Sequence, residues 1–365
     1  MQEPLRILIA PDSFKGSASN IEVAQAIARG WRKIRANDEI KCLPMADGGE
    51  GTLDTFAIRF PDARKFEVEV NIDKDQTRLA NWLLLQDGTA IVELAEACGL
   101  IHMKSLDPLN ASTYGFGQLL KSAANNPSVK KIIACIGGSA STDGGVGALI
   151  ALGARFLNSS GNSIELGGAA LNKIRSIDLS GITNPPMQGV TCLADVNNLL
   201  LGENGAANIY GPQKGASRED IEILNSGLLN LLTISAKADF PGAGAAGGTS
   251  FGLNFGWGSS LSYGAKVVGE LMGLREEIRD SDIVITGEGR FDQQSTQGKV
   301  VGLIQEITNE YKKRSLLCVG TTEVEFQRNN LSGVTLEDLA GSKAAAMAEP
   351  IKWLEMAGEA LAQQV

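Results

Sequence analysis

The chain has 365 residues, too long for one ordinary domain and comfortable for two. Its 43% hydrophobic and 21% charged residues exclude a disordered or collagenous chain, even with 43 glycines. A net charge of −9, from 33 basic and 42 acidic residues, argues against nucleic acid as a partner but permits a small anionic substrate held by a few placed donors.

Residues 5–10 form a run that is apolar apart from Arg6, the signature of a strand buried on both faces of a parallel sheet. After the loop 11–18, Ser19 and Glu22 form a capping box. It opens a helix whose apolar stripe is Ile21, Ala24, Ile27, Ala28, Trp31 and Ile34. A strand at 39–43 and a helix at 50–60 follow, the start of a doubly wound fold. The pattern then changes to short strands at 65–70, 77–85 and 89–94, an antiparallel meander, and a domain change is expected near residue 62. A helix at 113–124, strands at 131–136 and 189–193, and helices at 146–152 and 218–238 continue this part. From residue 282 the doubly wound pattern resumes, with strands at 282–286 and 316–319 and helices at 298–312 and 347–363. The expected fold class is α/β. A Rossmann- or flavodoxin-like parallel-sheet domain comes from both chain ends (1–61 and 281–365), and a second α/β domain (62–280) is inserted, leaving a cleft.

Five polar, glycine-rich segments each follow an apparent strand, where open α/β sheets bind ligands. Pro-Asp-Ser-Phe-Lys-Gly (11–16) places Lys15 beside Asp12 and Ser13, where an ammonium meets a carboxylate or phosphate. In Ala-Asp-Gly-Gly-Glu-Gly-Thr (46–52), Asp47 precedes Gly48 and Gly49 and either binds a substrate hydroxyl or caps the next helix. The segment 137–145 offers Gly137, Gly138, Ser139 and Asp143 at a helix start, suited to an anionic oxygen or to an ordinary tight turn. Asp195, followed by Asn197 and Asn198, is well placed for a carboxylate base acting on an alcohol, though capping explains it too. The segment 287–299 joins Gly287, Glu288, Arg290, Asp292 and Lys299. Carboxylates for Mg²⁺ and cations for phosphate are what phosphoryl transfer needs.

Several mechanisms are excluded. His102 is the only histidine, so acid–base chemistry falls to carboxylates or lysine. The five cysteines are scattered, with no Cys-x-x-Cys pair, which argues against a disulfide scaffold and a zinc site. Gly242-Ala-Gly244-Ala-Ala-Gly247 fits the dinucleotide fingerprint but lacks a preceding strand, and is expected to be a flexible or ligand-covering loop. Gly298-Lys299-Val300 is not a Walker A sequence. No apolar stretch reaches transmembrane length and no signal-peptide pattern opens the chain, so a cytoplasmic protein without a membrane partner is expected.

Together these segments resemble the class I glycerate kinase family, the bacterial glycerate 2-kinases. The resemblance runs to about residue 304 through Ile-Ala-Pro-Asp-Ser-Phe-Lys-Gly-Ser, Ala-Asp-Gly-Gly-Glu-Gly-Thr, Ile-Gly-Gly-Ser-Ala, Asp-Gly-Gly, Gly-Glu-Asn-Gly-Ala-Ala, Tyr-Gly-Pro-Gln-Lys-Gly-Ala, Pro-Gly-Ala-Gly-Ala-Ala-Gly-Gly and Val-Ile-Thr-Gly-Glu-Gly-Arg-Phe-Asp. It implies ATP and Mg²⁺ dependence, D-glycerate phosphorylated at its 2-hydroxyl, and a place in glyoxylate, glucarate or related acid catabolism. On this basis Lys15 and its neighbours grip the substrate carboxylate, Asp47 or Asp195 orients the hydroxyl with Asp195 as base, and Glu288 and Asp292 form the Mg²⁺ neighbourhood. Arg290 and Lys299 lie near phosphate, and the 137–143 loop cradles phosphate or substrate. The chain departs from the family where it has Ala194-Asp195-Val196-Asn197-Asn198-Leu199-Leu200, without the usual proline, and in its C-terminal segment. A homo-oligomer is left open.

Overall fold

The computed structural model describes residues 3–72, 76–292, 295, 299–323, 326 and 331–365. Gly298, the expected start of one helix, lies outside the described residues. By its contacts the chain divides into two units. One comprises Met1–Asp47, Asp54–Arg59 and Tyr263–Val365, the other Gly48–Leu53 and Phe60–Ser262, so residues 263–280 group with the chain ends.

The first unit carries a five-stranded parallel sheet in the order Gly333–Thr335, Arg314–Val319, Ile283–Thr286, Arg6–Ile9, Glu39–Cys42. Successive side chains of a strand face opposite sides, and both sides here are apolar. Ile7, Ile9, Ile283, Ile285, Leu316 and Cys318 pack with the helices Asn20–Ile34 and Pro350–Ala362, while Leu317 and Val319 pack with Val301 of the helix Val300–Glu310. Helix Asn20–Ile34 opens with the expected capping box: Ser19 Oγ accepts from the Glu22 N–H, and Glu22 Oε2 accepts from the Ser19 N–H at 2.9 Å. It crosses Pro350–Ala362 backbone to backbone, because a Cβ at Gly30 would stand 1.9 Å from the Glu355 carbonyl oxygen. The terminal helix expected at 347–363 is two helices, Lys343–Ala348 and Pro350–Ala362. Pro350 lacks the N–H that would continue the first and suits the opening turn of the second.

The second unit carries a six-stranded sheet in the order Ser260–Ser262, Val190–Leu193, Lys131–Cys135, Thr89–Glu93, Thr77–Leu84, Arg64–Asn71. The last three strands form the expected antiparallel meander and the others pair in parallel. The segment 242–247 is not a covering loop. It is mostly buried, and the Gly144 N–H donates to the Gly247 carbonyl at 3.0 Å. Ala246, Gly247 and Gly248 are all left-handed, and a Cβ at Gly247 would stand 2.1 Å from the Ser141 carbonyl oxygen, so glycine is what lets the two backbones meet. Cys98, Cys135, Cys192 and Cys318 are buried, Cys42 is exposed, and all five are free. His102 is half-buried, its pKa lowered by burial and then by Arg78.

Candidate active site

The first strand in sequence, Arg6–Ile9, lies beside the central strand of this sheet, Ile283–Thr286. From Arg6–Ile9 the chain moves outward to Glu39–Cys42 on one side, and the late strands Ile283–Thr286, Arg314–Val319 and Gly333–Thr335 build the other. The crevice beyond the carboxyl ends of Arg6–Ile9 and Ile283–Thr286 is therefore a topological switch point, where open α/β sheets bind ligands. Its loops are tied together: the Asp12 N–H donates to the Gly287 carbonyl at 2.9 Å and the Met45 N–H to the Pro11 carbonyl at 2.9 Å. Gly287 must be glycine, since a Cβ there would fall 1.6 Å from the Cys318 carbonyl oxygen.

A cavity of about 310 Å³ opens there, lined by Asp12, Ser13, Lys15, Asp47, Glu288, Arg290, Asp292 and Lys299 among others. Eight side chains singled out in sequence thus converge in one pocket of one unit. Lys15 Nζ lies 3.6 Å from Asp47 Oδ2, and the Lys15 side chain is 75% exposed. Arg290 pairs with Glu323 at 2.5 Å and stands 4.0 Å from Asp292. The Asp292 carboxylate also accepts from the Ser295 N–H at 3.2 Å, closing a tight turn.

The charges are mutually perturbed. Asp12 is pushed well above the usual carboxylate range by burial and then by the negative charge of Asp47, with Lys15 and the Ser13 N–H pulling it back. Lys15 is raised, first by Asp47. Glu288 is raised by burial, opposed by a Ser295 hydrogen bond and by Lys299, and its Oε1 is buried without a hydrogen-bond partner. Three acids crowd Lys15 in a pocket that also holds Arg290, Lys299 and Lys343, and one oxygen of Glu288 is left unanswered. Among the described residues, no three His, Cys, Asp or Glu side chains converge closely enough to hold a metal by themselves.

The remaining expected residues belong to the second unit. The Gly137 N–H donates to the Gly48 carbonyl at 3.1 Å, and a Cβ on Gly137 would stand 2.5 Å from the Gly49 Cα, so these loops meet through their glycines. Ser139 Oγ lies 3.0 Å from Ser141 Oγ. Asp143 is 1% exposed. Its Oδ2 accepts from Ser112 Oγ, the Thr113 N–H, Thr113 Oγ1 and the Gly147 N–H, and its Oδ1 from the Gly145 N–H. With its lone pairs spent inside the fold, Asp143 shapes the turn that Gly137, Gly138 and Ser139 begin. Asp195 is half-buried just past strand Val190–Leu193. Asn198 is committed to its own loop, donating to the Asn204 carbonyl at 2.8 Å and accepting from Tyr210 Oη at 2.7 Å, whereas Asn197 is exposed.

Four residues escaped the sequence reading. Glu93, 3% exposed, accepts from the Gly51 and Leu53 N–H groups at 3.0 and 2.8 Å and so holds the loop that follows Asp47. A carboxylate closing an apolar strand was its signal. Lys214, 2% exposed, donates to the Ser141 carbonyl, and its place within Tyr-Gly-Pro-Gln-Lys-Gly was its signal. Thr321 and Lys343 line the first-unit pocket from a part of the chain with no motif at all.

The sequence matches the glycerate kinase family over residues 7–365. It is 40% identical over 320 residues to the glycerate 2-kinase of Escherichia coli K12, covering 85% of this chain and 83% of the relative. It is 39% identical over 309 residues to a glycerate kinase of Bacillus subtilis 168, covering 81% of this chain and 79% of the relative. A crystal structure from Salmonella typhimurium LT2, assigned as a glycerate kinase 2, superposes with a TM-score of 0.80 at 34% identity over 99% of this chain and 98% of the other. Fold, loop pattern and relatives agree, and the chain belongs to the glycerate kinase family.

Proposed function

We propose that the protein is a cytoplasmic glycerate 2-kinase that transfers the γ-phosphoryl group of ATP to the 2-hydroxyl of D-glycerate, giving 2-phosphoglycerate and ADP. The observation that carries this reading is the pocket where Lys15, Arg290 and Lys299 stand among Asp12, Asp47, Glu288 and Asp292. Phosphoryl transfer passes through a loose transition state, so positioning and charge neutralisation do most of the work. Lys15, held by Asp47, grips the glycerate carboxylate, while Asp12 and Ser13 complete its surroundings. Arg290 and Lys299 offset phosphate charge.

The hard oxygen donors and the unpartnered Glu288 Oε1 fit Mg²⁺, which would be held by Glu288 and Asp292. When bound, the ion supplies positive charge to the phosphate oxygens. Asp195 is the proposed base for the 2-hydroxyl proton, with Asp47 as the alternative group that orients this hydroxyl. The glycine turn at Gly137, Gly138 and Ser139 offers N–H groups to phosphate or substrate.

The test is ³¹P NMR of purified protein with MgATP and D-glycerate, run beside L-glycerate and no-acceptor controls. A resonance matching authentic 2-phosphoglycerate, with ADP, is expected. A 3-phosphoglycerate signal would keep the kinase and overturn the regiochemistry. Turnover by Asp195→Asn within a few-fold of the parent would remove Asp195 as the base.

A further inference from the structure

The first-unit pocket has a second wall that a small hydroxy acid does not need. Besides its charged groups it is lined by Phe14, Leu336, Ala346 and Met347, with Lys343 beside them. Phe14, Leu336 and Ala346 belong to one buried core cluster and are only 2%, 2% and 5% exposed, so the edge of the core itself lines this side of the cavity. Met347, by contrast, is 48% exposed, an unbranched and polarisable side chain facing solvent on a surface rich in charge. A three-carbon acid with oxygen on every carbon has no apolar face to set against these groups. A nucleotide has both parts, a flat base and a chain of phosphates. The cavity, at about 310 Å³, sits at the lower end of the range of roughly 300–1,000 Å³ usual for ligands larger than such an acid.

The wall is also firmly placed. The Glu337 N–H donates to the Gly320 carbonyl at 3.0 Å, fixing helix Leu336–Ala340 to the loop that follows strand Arg314–Val319. Ser342 Oγ accepts from the Ala345 N–H at 3.2 Å, and Trp353 Nε1 donates to the Ala345 carbonyl at 3.2 Å, anchoring helix Lys343–Ala348. We infer that this C-terminal segment is the nucleotide wall of the pocket: Leu336, Ala346 and Met347 take the purine base, and Lys343 reaches its phosphates. The inference rests on the reading of the protein as an ATP-dependent kinase and adds which part of the chain holds the nucleotide.

Binding of MgADP and of magnesium tripolyphosphate, measured by calorimetry without glycerate, tests it. Met347→Glu puts a carboxylate where the base lies. It is expected to weaken ADP by about tenfold or more while leaving tripolyphosphate within about twofold, and Met347→Leu should restore ADP. Lys343→Ala is expected to weaken both ligands by about fivefold or more, with the KM for D-glycerate held within about twofold in either variant. Both side chains are exposed, so a thermal melt suffices to show that the variants fold. ADP affinity unchanged in Met347→Glu would overturn the wall, and so would a rise in glycerate KM alone, which would give the surface to the acceptor. If the wild type phosphorylated no glycerate, the kinase reading would fall by itself, and the ADP and tripolyphosphate affinities would still decide the wall.

Discussion

Asp12 and Asp143 each belong to a polar loop at the carboxyl end of a buried parallel strand, and the two units treat them in opposite ways. Asp143 is the deeper of the two, yet it accepts five hydrogen bonds from Ser112, Thr113, Gly145 and Gly147. Asp12 is half-buried and accepts one backbone hydrogen bond, from Ser13 at 2.6 Å, while Asp47 and Glu288 repel its charge. A buried carboxylate whose lone pairs are all answered fixes a backbone path. One left under-answered among like charges keeps its free energy in reserve for a cation or a substrate. The second unit spends its acid on shape, and the first holds its acids ready.

The largest effect should come from breaking the satisfied site. Asp143→Ala would strand five donors and leave the buried Lys214 without its nearby anion, a loss of about 3–5 kcal/mol of stability. Urea denaturation of the variant measures it. A loss below about 1 kcal/mol would mean that Asp143 is not the keystone of its loop.

Asp12→Asn should behave the other way round. Because burial raises the folded pKa, the folded state binds more protons than the unfolded one between the ordinary carboxylate value and that raised value, so stability is lost as pH rises through this window. Asparagine keeps an acceptor for the Ser13 N–H and carries no charge, so at neutral pH the variant should melt higher than the parent. A gain of 1 kcal/mol appears as about 2–4 °C in a domain of this size. Its kcat/KM should nevertheless fall by about 10²–10³, the loss expected on removing one electrostatic contact to the transition state. A variant both less stable and fully active would dissolve the distinction between the two aspartates.

How much of this was legible depended on distance along the chain. Asp12, Lys15, Asp47, Glu288 and Lys299 could be gathered in advance because each follows an apolar run that reads as a strand, and parallel strands deliver their carboxyl ends to one edge. The Ser19–Glu22 box likewise announced its helix, since capping is local chemistry. Leu336, Lys343 and Met347 could not be gathered, because they arrive from short helices whose residues carry no motif and whose place is set by packing. Strands Arg155–Leu157 and Ser176–Asp178 were missed for a related reason: three residues are too few to show a period of two. The 242–247 glycines were visible, but glycine permits both mobility and close backbone contact, and only the partner loop decided between them.

The smallest effect separates a shape-giving acid from a charged pair in disguise. Lys214 is buried beside Asp143, and its pKa is lowered to about 8 by burial, against the opposing pull of Asp143 and Cys98. Between about 8 and its ordinary value near 10.4, the unfolded chain holds a proton on this lysine that the folded chain has released. Stability from this group therefore rises with pH across that window, and below it the cost of the buried ammonium is fully present. Lys214→Met removes the titrating group and keeps much of the packing. The difference in unfolding free energy between parent and variant should thus grow in the parent's favour as pH rises from about 8 to 10. A difference independent of pH would mean that Lys214 stays charged throughout, held by Asp143 as an ion pair. The five hydrogen bonds to Asp143 would then be serving a charge as well as a turn, and the contrast with Asp12 would narrow to the number of donors each acid receives.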